Sequence, residues 1–274
     1  MSDLVYLYGF VHRAASAPPA ELKGIAGRAV QLLGLDAVQA AVSSVPERDF
    51  SPEQTQERFN DLEWIGEQGA LHERVVTWFV DHGGILPARL LTLYSGPETL
   101  RATVGGQAAQ LAGLLEAFRD LREWDLKVSY RAQTLQAHLG ALSEEVAALD
   151  RELAEAPPGR GYLLERKRAQ LVKQETSRAA RRLANELHEA VAARATDARR
   201  LPLPREKADL PVVLSAAYLV RRAAEGDVRT FVAREAERLA VPGLEVRFAG
   251  PWAPYRFIGE DEGEPTEEPQ VDED

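Results

Sequence analysis

Cysteine is absent from the 274-residue chain. Without a thiolate, the chain has no disulfide, no cysteine-ligated zinc or iron–sulfur site and no cysteine nucleophile. His72-Glu73 begins like a metalloprotease helix motif, but Val76 stands where the second histidine belongs, so a histidine at the edge of a core is favoured over a ligand. No two histidines have HxxxH spacing; they are His12, His72, His82, His138 and His188. The sequence therefore predicts no metal and no cofactor.

Long apolar runs are also missing. None approaches the ~18 residues that a membrane span requires. The N-terminal run Leu4–Val11 is short and follows Asp3 rather than a basic cluster, which favours a strand over a signal peptide. We therefore expect a cytoplasmic protein that does not bind lipid membranes.

Basic residues are in deficit, and the deficit is local. The chain has 33 basic and 43 acidic residues, a net charge of -10. Nine of the acids and no base lie in residues 260–274, so the rest of the chain is nearly neutral. A generally basic nucleic-acid-binding protein is disfavoured. The composition of residues 259–274 predicts a disordered acidic tail.

Motifs for catalysis and for nucleic-acid binding are lacking as well. No GxSxG nucleophile elbow occurs. Gly159-Arg-Gly161 precedes a helical segment, but Leu164 replaces the third glycine of a phosphate-binding loop. The basic stretch Arg166-Lys-Arg168 lies in a region whose only aromatic residue is Tyr162, whereas single-stranded nucleic acid is gripped by interleaved aromatics. These absences predict a protein that is not an enzyme and has no nucleic-acid partner.

The first half of the chain reads as an α+β domain, residues 1–120. Leu4–Val11 is apolar on both faces, as in a strand covered on both sides. An amphipathic helix is predicted from Asp61 to His82, ended by Gly83-Gly84, and a strand over Ile85–Leu93.

The second half begins with Trp124–Tyr130, which alternates strictly between apolar and polar residues. Strands are also predicted at Leu214–Val220 and Leu244–Phe248, with a helix between them. This order favours a ferredoxin-like second domain, residues 121–258.

A long helical insertion is predicted within that domain. Apolar residues step by 4 and 3 in a coiled-coil seam: Leu135, Leu139, Leu142, Val146, Leu149 and Leu153. Residues 131–155 carry a net charge of -3 and residues 160–200 a net charge of +6. Two arms of opposite charge joined by a short turn predict an antiparallel hairpin over about residues 131–200.

The segment Gly250-Pro-Trp-Ala-Pro-Tyr-Arg-Phe257 combines two prolines with three aromatic rings. Such a segment has an extended backbone, and its rings must pack or be presented. It either covers the core of the second domain or offers a surface to a partner.

This ending resembles the GPWPPYSF-like ending of the gas vesicle protein L/F family. Six further segments are similar to motifs of that family in the family's order: Leu4–Val11, Ala70–Val76, Gly84–Arg89, Glu123–Val128, Gly161–Leu164 and Ala216–Val220. The resemblance covers roughly residues 4–258. In the third of these six segments, Ala88 with the following Leu90 and Leu91 departs from the family's LRFG pattern.

The resemblance implies a non-enzymatic accessory protein of gas vesicle assembly with two α+β domains, the second ferredoxin-like with a helical insertion. It implies contact with the small hydrophobic shell protein and with other accessory proteins, as an adaptor or chaperone. Candidate contact residues are Arg89, Trp252 and Tyr255. Two alternatives stay open: a family member diverted to another intracellular scaffold, and an enzyme whose site is assembled from scattered residues.

Overall fold

The computed structural model describes residues 3–204 and 210–258, which form two compact units with a mixed α and β architecture. The first unit contains the chain up to Arg119 and the segment from Trp252, and the second contains Asp120–Pro251. The sequence analysis assigned residues 121–258 to a single domain, whereas the structure groups the last segment with the first unit. The acidic tail predicted over residues 259–274 lies outside the described residues.

The first unit is built on one antiparallel sheet flanked by helices. Its strands are β1 (Asp3–His12), β2 (Gln31–Leu35), β3 (Val38–Pro46), β4 (Leu86–Pro87) and β5 (Leu93–Tyr94). Its helices are α1 (Glu47–Phe50), α2 (Pro52–Arg58), α3 (Leu62–Asp81), α4 (Pro97–Val104) and α5 (Ala108–Phe118). The strand order is β2-β3-β1-β4, and β5 also pairs with β1.

Side chains of β1 point alternately to two apolar clusters, one on each face of the sheet. Tyr6 and Tyr8 lie in the cluster that α3 covers, and Val5 and Leu7 lie in the cluster that α4 and α5 cover. This burial on both faces is what the apolar run at the N-terminus predicts.

Local sequence signals set the ends of α3. The Asp61 side chain accepts a hydrogen bond from the Trp64 backbone N–H at 3.0 Å and caps the first turn. After α3, Gly83 and Gly84 adopt positive φ angles of 121° and 92°, which glycine reaches without strain. The predicted start and stop of this helix are therefore confirmed.

The strand predicted over Ile85–Leu93 is wrong in its extent. Only Leu86–Pro87 and Leu93–Tyr94 pair with β1. Between them the chain turns, with Leu91 at a φ of 63°. Apolar composition predicted a continuous strand here, but the left-handed backbone at Leu91 interrupts it.

The second unit has its own antiparallel sheet, of order β7-β8-β6-β9. Its strands are β6 (Leu121–Tyr130), β7 (Asp197–Arg200), β8 (Val212–Arg221) and β9 (Leu244–Trp252). Its helices are α6 (Ala132–Leu142), α7 (Glu144–Ala154), α8 (Pro158–Ala192) and α9 (Glu225–Ala240). The sequence analysis missed β7.

The predicted first arm of the helical hairpin is two helices rather than one. Ser143 has extended φ and ψ angles of -131° and 120°, which end α6, and its hydroxyl accepts from the Val146 N–H at 3.4 Å at the start of α7. Both helices pack against α8. The seam residues Leu139, Val146 and Leu149 are buried, because the interruption leaves their spacing in phase.

Candidate partner-binding surface

A buried hydrogen-bond network joins β1 to α3 in the first unit. The Tyr6 hydroxyl lies 2.7 Å from Nδ1 of His72, and both side chains are almost fully buried. The same hydroxyl accepts the Leu91 backbone N–H at 3.2 Å. Tyr6 therefore connects the helix to the turn between β4 and β5.

Tyr8 extends this network on the same face of β1. Its hydroxyl donates to Ser43 Oγ at 2.9 Å and accepts the Ile25 backbone N–H at 2.8 Å. The rings of Tyr6 and Tyr8 lie 4.9 Å apart, and each is within 6 Å of the His72 ring. The two tyrosines thus satisfy buried polar groups that β1 alone leaves unpaired.

Burial sets the charge of this network. Removal from water lowers the pKa of His72 to about 4 and raises the pKa values of Tyr6 and Tyr8. All three groups are neutral at pH 7. A neutral imidazole accepts at one nitrogen and donates at the other, so the tautomer of His72 sets which of Nδ1 and the Tyr6 hydroxyl donates in their bond.

Glu73 follows His72 in α3 and binds the aromatic segment that contains Tyr255. The Tyr255 hydroxyl donates to Glu73 Oε2 at 3.0 Å. Burial raises the pKa of the Glu73 carboxyl, and the hydrogen bond from Tyr255 opposes the rise. Adjacent residues of one helix therefore hold two segments that lie far apart in the sequence.

The structure places the exposed residue Arg89 at the start of a turn over residues 89–92, the Arg89 turn, within that anchored region. Its carbonyl accepts from the Thr92 hydroxyl at 2.7 Å and from the Thr92 N–H at 3.2 Å. The Leu91 N–H bonded to Tyr6 lies in the same turn. The exposed residue Arg89 therefore belongs to a turn whose backbone is held by hydrogen bonds to Tyr6 and Thr92.

The aromatic ending packs against the first unit. Ala253 is fully buried in the apolar cluster under α3, and Tyr255 packs against it. The ending forms helix α10 (Tyr255–Ile258), which lies against β4. The expectation that this segment covers the core of the second domain is wrong, because its buried side chains enter the first core.

The candidate contact residues thus share one unit but differ in exposure. Arg89 is exposed, and Trp252 and Tyr255 are half-buried. The indole Nε1 of Trp252 is inaccessible and has no hydrogen-bond partner among the described residues. The structure brings the Arg89 turn and α10 to the same sheet edge, at β4.

Sequence reasoning missed the network beneath this surface. It treated His72 as a histidine at a core edge, named Glu73 only as part of the incomplete metalloprotease motif, and did not single out Tyr6 or Tyr8. The available signal was the spacing of Tyr6 and Tyr8, which puts both on one face of a strand. Their partner on α3 is 66 residues from Tyr6, and such a pairing has no local pattern.

In the second unit, a groove lies between α9 and β9. It has a volume of about 600 Å³, and the one ionisable side chain in its lining is Arg229. Trp124 and Phe248 stack in it with ring centroids 4.9 Å apart. Such a lining supplies no acid–base pair.

Two kinds of site are absent from residues 3–204 and 210–258. No group of three or more histidine, aspartate and glutamate side chains there is placed to hold a metal ion. No helix in that part of the chain combines the length and the apolar character of a membrane span.

Together these features define a mixed α and β protein of two units, each with one antiparallel sheet. Residues 4–259 match the model of the gas vesicle synthesis protein GvpL/GvpF family, and the chain belongs to that family. The resemblance seen in the sequence is confirmed.

Curated relatives match over nearly the whole chain. Gas vesicle protein L of a Streptomyces species is 30% identical over 264 residues, which cover 93% of each chain. Gas vesicle protein L2 of Halobacterium salinarum is 28% identical and covers 94% of this chain and 92% of its own.

Two solved structures share the fold. The gas vesicle protein GvpF of Anabaena superposes with a TM-score of 0.65 at 17% identity, over 94% of this chain and 97% of its own. The GvpF of Microcystis aeruginosa gives 0.64 at 20% identity, over 94% and 99%.

Proposed function

We propose that this protein is a non-enzymatic accessory protein of gas vesicle assembly that binds the small hydrophobic shell protein as an adaptor or chaperone. It acts in the cytoplasm and at the gas vesicle, with other accessory proteins as further partners. The observation that carries the proposal is the family match over residues 4–259. Covering a small apolar subunit before it polymerises would protect it from aggregation.

Four segments that resemble motifs of the family meet in the first unit, and this supports locating the shell-protein contact there. Tyr6 joins Leu4–Val11 to Ala70–Val76, Tyr255 joins the aromatic ending to Ala70–Val76, and β4 within Gly84–Arg89 pairs with β1. We propose the Arg89 turn and the adjacent ending with Trp252 and Tyr255 as the contact surface. A fixed backbone below an exposed side chain lowers the entropic cost of binding.

Co-purification with the shell protein tests this surface. Wild type should retain the shell protein, and Arg89→Ala should retain less while remaining folded, because Arg89 is exposed. Arg101→Ala on α4, also exposed, is the matched control and should bind like wild type. Trp252→Ala should weaken binding in the same assay, provided that the variant folds.

Different failures have different meanings. No association by wild type, together with normal gas vesicles in a deletion strain, would remove the assembly role and favour the diverted-scaffold alternative. Association that survives both substitutions would leave the function and overturn the choice of surface. Conversion of many substrate molecules per molecule of purified protein would favour the enzyme alternative.

We also propose that the second unit is a ferredoxin-like domain carrying a helical insertion. Its antiparallel order β7-β8-β6-β9 supports this, since it corresponds to chain order 2-3-1-4 within the unit. The insertion comprises α6, α7 and the N-terminal half of α8, which pack on one another.

A further inference from the structure

Strand β2 forms an outer edge of the sheet in the first unit, and no described strand pairs with its outer side. Its sequence is Gln-Leu-Leu-Gly-Leu, from Gln31 to Leu35. It carries no charge, proline or bulge, which are the devices that usually protect a sheet edge.

The other edge strands longer than two residues do carry such devices. β7 has three charged residues in four, and β9 contains Glu245, Arg247 and Pro251. Among the described strands of that length, β2 is the unprotected edge. A strand of this kind is a template for pairing with another chain.

The register of the hairpin shows which backbone groups β2 offers. Leu35 pairs with Val38 across the two-residue turn, so Leu35, Leu33 and Gln31 bond inward to β3. The backbone groups of Leu32 and Gly34 consequently point outward. The other neighbour of β3 agrees. Leu7 of β1 lies opposite Val42, which bonds toward β2, and the Leu7 N–H accordingly points away from β3 and donates to the Thr92 carbonyl at 2.9 Å.

These outward groups have no backbone partner within residues 3–204 and 210–258. They lie at equal distances along the strand on either side of Leu33. Consider two copies related by a two-fold axis at Leu33. Leu32 of each copy then lies opposite Gly34 of the other, which gives two equivalent pairs. Each such pair exchanges two N–H···O=C bonds, which gives four across the axis.

The side chains fit the same register. The half-buried Leu32 of each copy lies beside Gly34 of the other, where no atom stands within 4 Å of a glycine Cβ position. Exposed Arg28 and Asp36 flank the strand at opposite ends, so the axis brings the cation of one copy toward the acid of the other.

We propose that β2 pairs antiparallel with β2 of a second copy of this chain, joining the two first-unit sheets into one. Contact along five residues buries less than the roughly 1,200 Å² of a standard stable interface, so the association depends on concentration. The proposal is independent of the proposed shell-protein contact surface, which is next to β4 on the other side of the sheet.

Measurement of mass by sedimentation equilibrium over a wide concentration range is the first test. Wild type should shift from one chain mass toward two. Gly34→Pro removes an outward N–H without touching a bond to β3 and should stay at one. Gly34→Ala keeps that N–H, enters open space in the single chain and should still associate.

The absence of cysteine from the chain permits a second test by cross-linking. Leu33→Cys should give a covalent dimer under oxidised glutathione, because directly opposed residues of a non-hydrogen-bonded pair have Cα atoms about 4.5 Å apart, within disulfide reach. Gly34→Cys is the control. Its two thiols would be offset by two residues, with Cα atoms about 8 Å apart, and should not bridge.

The mass of one chain at every concentration would overturn the proposal, as would association that survives Gly34→Pro. Equal cross-linking of the two thiol variants would also count against it. If wild type stays monomeric and Gly34→Pro no longer retains the shell protein, the edge would be assigned to that subunit instead of a second copy. If Leu33→Cys does not fold, the masses of wild type and Gly34→Pro decide.

Discussion

The Tyr6 hydroxyl and Nδ1 of His72 lie 2.7 Å apart in the buried face of the first unit, and the same hydroxyl accepts the Leu91 N–H. Tyr6 in β1 and His72 in α3 thereby fix the position of the turn between β4 and β5, although neither residue is part of that turn. The turn carries Arg89, the exposed residue of the proposed contact surface. Perturbing this pair should therefore affect both stability and binding.

Tyr6→Phe tests the pair directly. The substitution leaves the buried Nδ1 of His72 and the Leu91 N–H without their partner, at a cost of about 1–3 kcal/mol. Urea denaturation should show this loss in the free energy of unfolding. Tyr94→Phe in β5 is the control and should change it by no more than about 0.5 kcal/mol. Equal effects of the two changes would mean that the Tyr6 hydroxyl has no special role.

The pH dependence of stability should reveal His72. Its pKa falls from 6.5 to about 4 on folding, so the unfolded chain binds the proton first as the pH drops. The stabilisation is complete above pH 6.5, and roughly 3 kcal/mol is lost as the pH falls to 4.

His72→Asn, which is neutral at every pH, isolates this contribution. Glu73, with a raised pKa, acts in the opposite direction, and His188, with a lowered pKa, acts in the same direction. Both are present in wild type and variant. The stability difference between the two proteins should therefore shrink as the pH falls, and a constant difference would contradict the assignment.

Helices and strands that are marked by apolar periodicity, or by residues that start and stop them, were predictable from the sequence. The α3 helix is marked by its apolar stripe, by Asp61 before it and by Gly83-Gly84 after it. The alternation of Trp124 and its neighbours identifies β6 and its buried face. In each case the physical cause acts within a few residues of the chain.

Features fixed by distant contacts were not predictable. β7 has three charged residues in four and forms because β8 offers it backbone hydrogen bonds. The break at Ser143 leaves the apolar spacing unchanged, so periodicity does not detect it. The proposed contact surface depends on Tyr255 reaching Glu73, which is 182 residues away.

Burial of the helical seam can be tested by matched truncations. Leu149 in α7 is 5% exposed and Leu163 in α8 is 65% exposed. Leu149→Ala should cost about 2–5 kcal/mol through lost burial and a residual cavity. Leu163→Ala should stay within about 0.5 kcal/mol of wild type. Thermal unfolding followed by circular dichroism measures both, and similar losses would show that α7 does not pack as described.

Gly9 should be intolerant of any side chain. It lies in β1 with a φ of 154°, and a Cβ built there would stand 2.3 Å from the Leu86 carbonyl oxygen. Because Gly9 pairs with Pro87 in β4, relief of this clash must push β4 and the Arg89 turn away from the sheet. Gly9→Ala should therefore lower the free energy of unfolding by about 2 kcal/mol or more.

Gly66→Ala in α3 gives the matched change with the opposite sign. No atom lies within 4 Å of its Cβ position, and the residue is exposed in a helix, so alanine should stabilise the protein by up to about 1 kcal/mol. Urea denaturation of the two variants should move the midpoint in opposite directions. If Gly9→Ala instead matched wild type in both stability and shell-protein binding, the close approach of β4 to β1 would be wrong, and the fixed position of the Arg89 turn with it.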